Sequence, residues 1–195
     1  MSSHAIDHQH HADSTDVFGF WLYIMSDCLL FASLFATFIV LHHDGLFVVP
    51  LKSLIELPYV LLETFCLLAS NFAFGLAVLS MYKNKQAWIT FWLCVTAILG
   101  AAFVSLEVNE FIHFFREGYN YHLSGSASAF FVLVGTHGFH VSVGLIWIIM
   151  MIVQFNVFGI TSTTKRRLTY LGLFWNFLDI VWIFVFTIVY LMGAV

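Results

Sequence analysis

Charge is what this chain has least of. Only 9% of its 195 residues are charged, against about 25% in a soluble domain. A water-facing globular surface cannot be built from so few, and the chain is 61% hydrophobic and 18% aromatic, so it reads as an integral membrane protein. The seven basic residues form no patch, and no nucleic-acid partner is expected. A net charge of −4 adds little, because most acids fall in the N-terminal segment or inside apolar runs. Proline is nearly absent. Pro50 and Pro58 both fall outside the interiors of those runs, which predicts unbroken helices and argues against carriers built from proline-interrupted half-helices. The three cysteines, Cys28, Cys66 and Cys94, lie in different runs without a CxxC pair and read as small buried residues. Phosphate loops, nucleophile elbows and zinc signatures are missing too. The first 17 residues hold no Lys or Arg and no apolar core, so a cleavable signal peptide is not expected. They hold His4, His8, His10, His11 and three aspartates and are read as a disordered, His-rich tail, able to take up metal opportunistically without a folded site.

What is there in quantity is apolar sequence. Five runs stand out, at roughly 18–43, 57–82, 88–115, 127–156 and 168–193, each long enough to cross a bilayer. The expected fold class is all-α, an integral membrane bundle of five transmembrane helices over residues 18–195. Small residues at four-residue spacing mark candidate helix contacts: Ala32 and Ala36, Ala69, Ala73 and Ala77, Ala97 and Ala101, Gly138 and Ser142. Orientation follows from the basic residues. Lys83 and Lys85 follow the second run and Lys165, Arg166 and Arg167 follow the fourth, while the opposite side has Lys52 and Arg116. The richer side is assigned to the cytoplasm, with the N-terminus inside and the C-terminus outside.

Five carboxylates lie within the runs: Asp27, Glu63, Glu107, Glu110 and Asp179, with no Lys or Arg in any run's interior. A central charge costs about 2.5–3.5 kcal/mol on an insertion scale, so none of them is expected to face lipid. Helical spacing places Thr96, Gly100, Phe103, Glu107 and Glu110 on one stripe, Glu63, Ser70, Phe74 and Ala77 on another, and Asn176, Asp179, Ile183 and Phe186 on a third. The stretch from Gly135 to Trp147, GTHGFHVSVGLIW, adds His137 and His140 three apart on one face, with Gly144 four further on. Histidine is the titratable partner available inside the bundle, which suggests a buried acid–histidine network. Neutral acids bonded to Ser, Asn or backbone are the alternative. Glu110-x-x-His113 has dimetal-carboxylate spacing, but the second copy that such a site needs is missing. His113 is expected at the membrane surface. The two neighbouring histidines do not supply the opposed ligands of a bis-histidine haem.

The string GTHGFHVSVGLIW, with GFWLYIMSDCLLFASLFATF at 19–38 and FWNFLDIVWIFVFTIVYLMG at 174–193, resembles subunit III of the haem–copper terminal oxidases. Within that family it most resembles the subunits of cytochrome bo-type ubiquinol oxidases, as do ELPYVLLETF at 56–65 and MYKNK at 81–85. The likeness runs from about Phe18 to Gly193 and covers all five runs. The resemblance implies an accessory subunit without a catalytic centre, in the aerobic respiratory chain of a bacterial inner membrane. It implies that the haems and copper lie in a partner subunit I, with no cofactor on this chain, and that phospholipid sits in a helix cleft. The subunit would stabilise subunit I and sustain proton-coupled turnover. Asp27 stands where many members have a buried, carbodiimide-reactive glutamate. Glu110, His137, His140 and Asp179 match family positions, and Asn176 departs from the usual histidine. Subunit III of a cytochrome c oxidase, an independent proton-coupled carrier and a haem-bearing anchor are the competing readings.

Overall fold

The computed structural model describes residues 3–43, 57–116 and 125–191, with only the backbone described for 3–16, 42–43, 57, 126 and 191. Pro50 and Lys52 lie outside the described residues. Among the described residues five α-helices follow in order: α1 (Ser3–His43), α2 (Leu57–Tyr82), α3 (Gln86–Arg116), α4 (Gly125–Phe158) and α5 (Ser162–Val185). All five are long and apolar enough to cross a membrane. This is a multi-pass membrane protein of the all-helical class.

Two helices start well ahead of the expected positions, and one changes type toward its end. α1 begins at Ser3 rather than near residue 18, so helical backbone runs through the segment expected to be disordered; no Pro or Gly precedes Gly19 to interrupt propagation. α5 begins at Ser162, ahead of its apolar run, because Thr161 caps it. The Thr161 hydroxyl accepts from the Thr164 backbone N–H at 3.2 Å, and the Thr164 hydroxyl accepts from the Thr161 N–H at 2.8 Å, a reciprocal cap of the kind that satisfies two open donors. Lys165, Arg166 and Arg167 therefore stand on the first turns of α5 and not in a loop. Finally, α5 does not stay α-helical but passes into a π-helical segment at Phe186–Leu191.

The two short turns sit at one end of the bundle. Asn84 leaves α2 with φ 53° and Gly159 leaves α4 with φ 66°, left-handed conformations that Asn tolerates and Gly adopts freely. The Gln86 amide donates to the Phe155 carbonyl at 2.6 Å and Lys165 Nζ donates to Asn84 Oδ1 at 3.0 Å, tying the turns together. Lys83, Lys85, Lys165, Arg166 and Arg167 thus share that end.

α5 is the centre of the bundle. It packs on α1, α2 and α4, while α2 pairs with α3, α3 with α4, and α1 lies mainly along α4. Half of α5's apolar window is buried, 50%, against 17% for α1. The Trp175 ring seats α5 against two partners at once. A Cβ on Gly100 of α3 would lie 3.1 Å from that ring, and one on Gly144 of α4 would lie 2.8 Å from it. Close approach of this kind is how helices associate where lipid removes the hydrophobic drive. Ala73 and Ala77 are buried as the small-residue spacing predicts, but Ala32, Ala36 and Ala101 are exposed, so the α1 pair does not mark a helix contact within this chain. The stripes of α2 and α3 face inward throughout.

Gly144→Ala is expected to lower stability by about 1–3 kcal/mol, because an aromatic ring cannot yield as a flexible chain end can. Gly75→Ala, where a Cβ meets nothing within 4 Å, should be within about 0.5 kcal/mol of the parent. Thermal unfolding of the detergent-solubilised protein, compared across the two variants, checks the contrast.

Candidate functional site

Among the described residues, the acids of the spans fall into three groups and not one network. The first joins α1 to α4. His140 Nε2 lies 3.0 Å from Asp27 Oδ1, and His140 Nδ1 lies 2.7 Å from the Thr136 carbonyl four residues earlier. A carbonyl only accepts, so Nδ1 carries a hydrogen. Nε2 is then an acceptor in the neutral ring, and its bond to Asp27 needs one more proton. That proton lies either on the carboxyl, giving a neutral pair, or on the imidazole, giving an ion pair. Asp27 is buried and His140 half-buried.

His137 shares the helix but not the partner. It is fully buried, with Trp182 5.2 Å away ring to ring, Phe103 edge-on at 5.9 Å, and Phe31 at 6.4 Å. Neither of its nitrogens has a hydrogen-bond partner among the described residues. The expected acid–histidine network is therefore formed by His140 alone, while His137 is packed in an aromatic cage.

The second group sits toward the end where α2 begins and α3 ends. Glu63, Glu107 and Glu110 are 0%, 2% and 7% exposed. The Tyr190 hydroxyl donates to Glu110 Oε2 at 2.8 Å. The Glu107 carboxyl lies flat on Gly138 of α4, where a Cβ would fall 2.5 Å from Oε2 and 2.6 Å from Oε1; any larger residue at 138 would displace the acid. The Tyr59 hydroxyl donates to the Leu106 carbonyl at 3.1 Å, holding the start of α2 against this part of α3.

The third group joins α2 to α5. The Asn71 amide donates to Asp179 Oδ2 at 3.0 Å, and one helical turn on, Trp182 Nε1 donates to Thr64 Oγ1 at 3.1 Å. Asn176, placed on the inward stripe from spacing, is instead exposed, as is Ile183. The buried face of α5 is centred on Leu171, Leu178, Trp182 and Val185, and Asn176 lies across the helix from Leu178 at about 100° per residue. It borders a surface groove of about 260 Å³ with Phe74, Gly75, Tyr82, Thr169, Gly172 and Leu173. His113 is exposed near the end of α3, as expected.

Sequence reasoning missed Asn71, Tyr59, Thr64 and Tyr190. Asn71 had a usable signal, a mid-span amide beside Ser70. Tyr190 had none, because the π segment shifts its register relative to the α-helical stripe.

Residues 2–194 match the family model described as cytochrome c oxidase subunit III. The chain belongs to that family. It is similar to the cytochrome bo(3) ubiquinol oxidase subunit 3 of Pseudomonas aeruginosa, 51% identical over 98% of this chain and 91% of the relative. The corresponding Pseudomonas putida protein is 49% identical over 95% and 89%. A probable quinol oxidase subunit 3 of Staphylococcus saprophyticus subsp. saprophyticus is 40% identical over 99% and 96%. In this subunit III family member the described polar groups tie helices together: α1 to α4, α3 to the end of α5, and α2 to α5.

A double-mutant cycle on Asp27→Asn and His140→Gln is expected to return a coupling of about 0.5–3 kcal/mol, since one proton serves both side chains. Unfolding midpoints of the two single variants and the double variant give the coupling; simple additivity would mean that the pair is incidental.

Proposed function

We propose that this chain is the non-catalytic subunit III of a haem–copper ubiquinol oxidase in the aerobic respiratory chain. The observation that carries the reading is similarity along nearly the whole chain to quinol oxidase subunits 3, at 51% and 49% identity for the two Pseudomonas proteins, joined to five helices able to span a membrane. The oxidase reduces oxygen at haems and copper held by a partner subunit I. This subunit packs beside it, stabilises it, and shapes its surroundings of lipid and protons.

Localisation follows the same reading. The protein sits in the bacterial inner membrane, with the cation-bearing end formed by Lys83, Lys85 and the start of α5 in the cytoplasm. The N-terminus is cytoplasmic and the C-terminus periplasmic. Phospholipid occupies a cleft on the helical surface. Asp27, hydrogen-bonded to His140, stands where many members of the family have a carbodiimide-reactive glutamate, and it serves proton uptake by the assembled enzyme.

Purification of the tagged chain in mild detergent tests the assignment. A haem-bearing partner should travel with it, and the chain released from that partner should show no haem absorbance. A Soret band in the pure chain that disappears in His137→Ala would overturn the reading in favour of a haem-bearing anchor. For the Asp27 role, Asp27→Asn should reduce proton pumping or shorten the turnover lifetime of the oxidase; unchanged values for both exclude it.

A further inference from the structure

The Glu107–Glu110–Tyr190 group receives a fourth member that it does not hydrogen-bond. Glu63 enters from α2, fully buried, within electrostatic reach of both Glu110 and Glu107. Neither of its oxygens has a partner among the described residues, and neither does Glu107 Oε1. The Tyr190 hydroxyl donates to Glu110, with the other two acids within electrostatic reach. The groups present are thus Tyr59 and Glu63 from α2, Glu107 and Glu110 from α3, and Tyr190 from the π segment, with Gly138 of α4, next to His137 in sequence, under the Glu107 carboxyl. No Lys or Arg stands in the interior of any span.

Buried carboxyls grouped without a cation favour the neutral, proton-bearing form. Protonation alone does not satisfy Glu63, because a neutral carboxyl still presents one donor and further acceptor sites. Leaving such a group unmatched costs about 1–3 kcal/mol. Three unmatched oxygens suit a water molecule, which when buried makes about three hydrogen bonds. A resident metal ion suits the geometry less well: among the described residues no three His, Cys, Asp or Glu side chains are arranged to hold one. The site lies toward the helix ends. Glu63 is six residues into α2 and Glu110 six residues from the end of α3, each about 9 Å of helix.

We propose that Glu63, Glu107, Glu110 and Tyr190 enclose a hydrated site that binds water and exchanges carboxyl protons with the aqueous phase at that end of the bundle. It is separate from the Asp27–His140 pair, which joins α1 to α4. Gly138 gives the Glu107 carboxyl its seat, and the π segment turns the Tyr190 hydroxyl toward Glu110. The exchange moves a proton from a carboxyl O–H to water and returns another, so no charge is left behind.

Infrared spectra of the assembled oxidase in H2O and D2O test this; the proposal rests on the oxidase assignment for its sample only. A protonated-carboxyl C=O band should move down in D2O within minutes. One component of that exchanging band should be lost in Glu63→Gln and another in Glu107→Gln. Should either glutamine variant fail to assemble, Tyr190→Phe keeps all three acids; it should shift the Glu110 component upward by removing the donor, with exchange retained. A band that fails to exchange over hours overturns the proposal, and so does a band unaltered in the substituted proteins. A haem-bearing complex that shows no such exchange sinks the hydrated site and leaves the oxidase assignment standing.

Discussion

Hydrocarbon cannot solvate a carboxyl or an imidazole, and the arrangement of this bundle follows from that constraint. Each of three acids in the spans meets a partner on a neighbouring helix: Asp27 on α4, Asp179 on α2, Glu110 at the end of α5. The contacts are long-range in sequence and short in space. They select which helix faces which, since a rotation of α2 that exposed Glu63 or of α3 that exposed Glu107 would place a polar group against lipid.

Small residues and large aromatics act together to make that covering possible. Without a hydrophobic drive between helices, association depends on close packing and interhelical hydrogen bonds. Trp175 fills the notch above Gly100 and Gly144, Phe74 fills the one at Gly172, and the Glu107 carboxyl fills the one at Gly138. The last case joins the two requirements: the same glycine that lets α3 and α4 approach also gives a buried acid its place. Trp182 links the groups, edge-on to Phe103, tilted over His137 and hydrogen-bonded to Thr64. A subunit built this way is densely packed at its centre and carries its exposed apolar surface outward, on α1 above all, where lipid or neighbouring subunits meet it.

The acids of the spans stand in pairs and clusters at helix contacts. Asp27 and His140 share one proton across the α1–α4 contact. The three glutamates lie at a different contact, closer to the end of the helices. The two places involve different side chains and different helix contacts.

Five helices, their order and the inward faces of α2 and α3 were legible in the sequence, because span length and 3.6-residue periodicity depend on local composition alone. The burial of Asp27, Glu63, Glu107, Glu110 and Asp179 was equally legible, since an acid in an apolar run must be covered by protein. Partnership was not. That His140 takes Asp27 while His137 takes an aromatic cage depends on where α1 and α5 lie around α4, which no residue of α4 encodes by itself. Asn176 leaves its expected face because a three-residue step along a helix leaves about 60° of ambiguity, and the neighbours of α5 decided which side of that arc was covered. Tyr190 meets Glu110 where α5 has passed into a π-helical segment, a change of register that a stripe counted at 3.6 residues per turn does not carry.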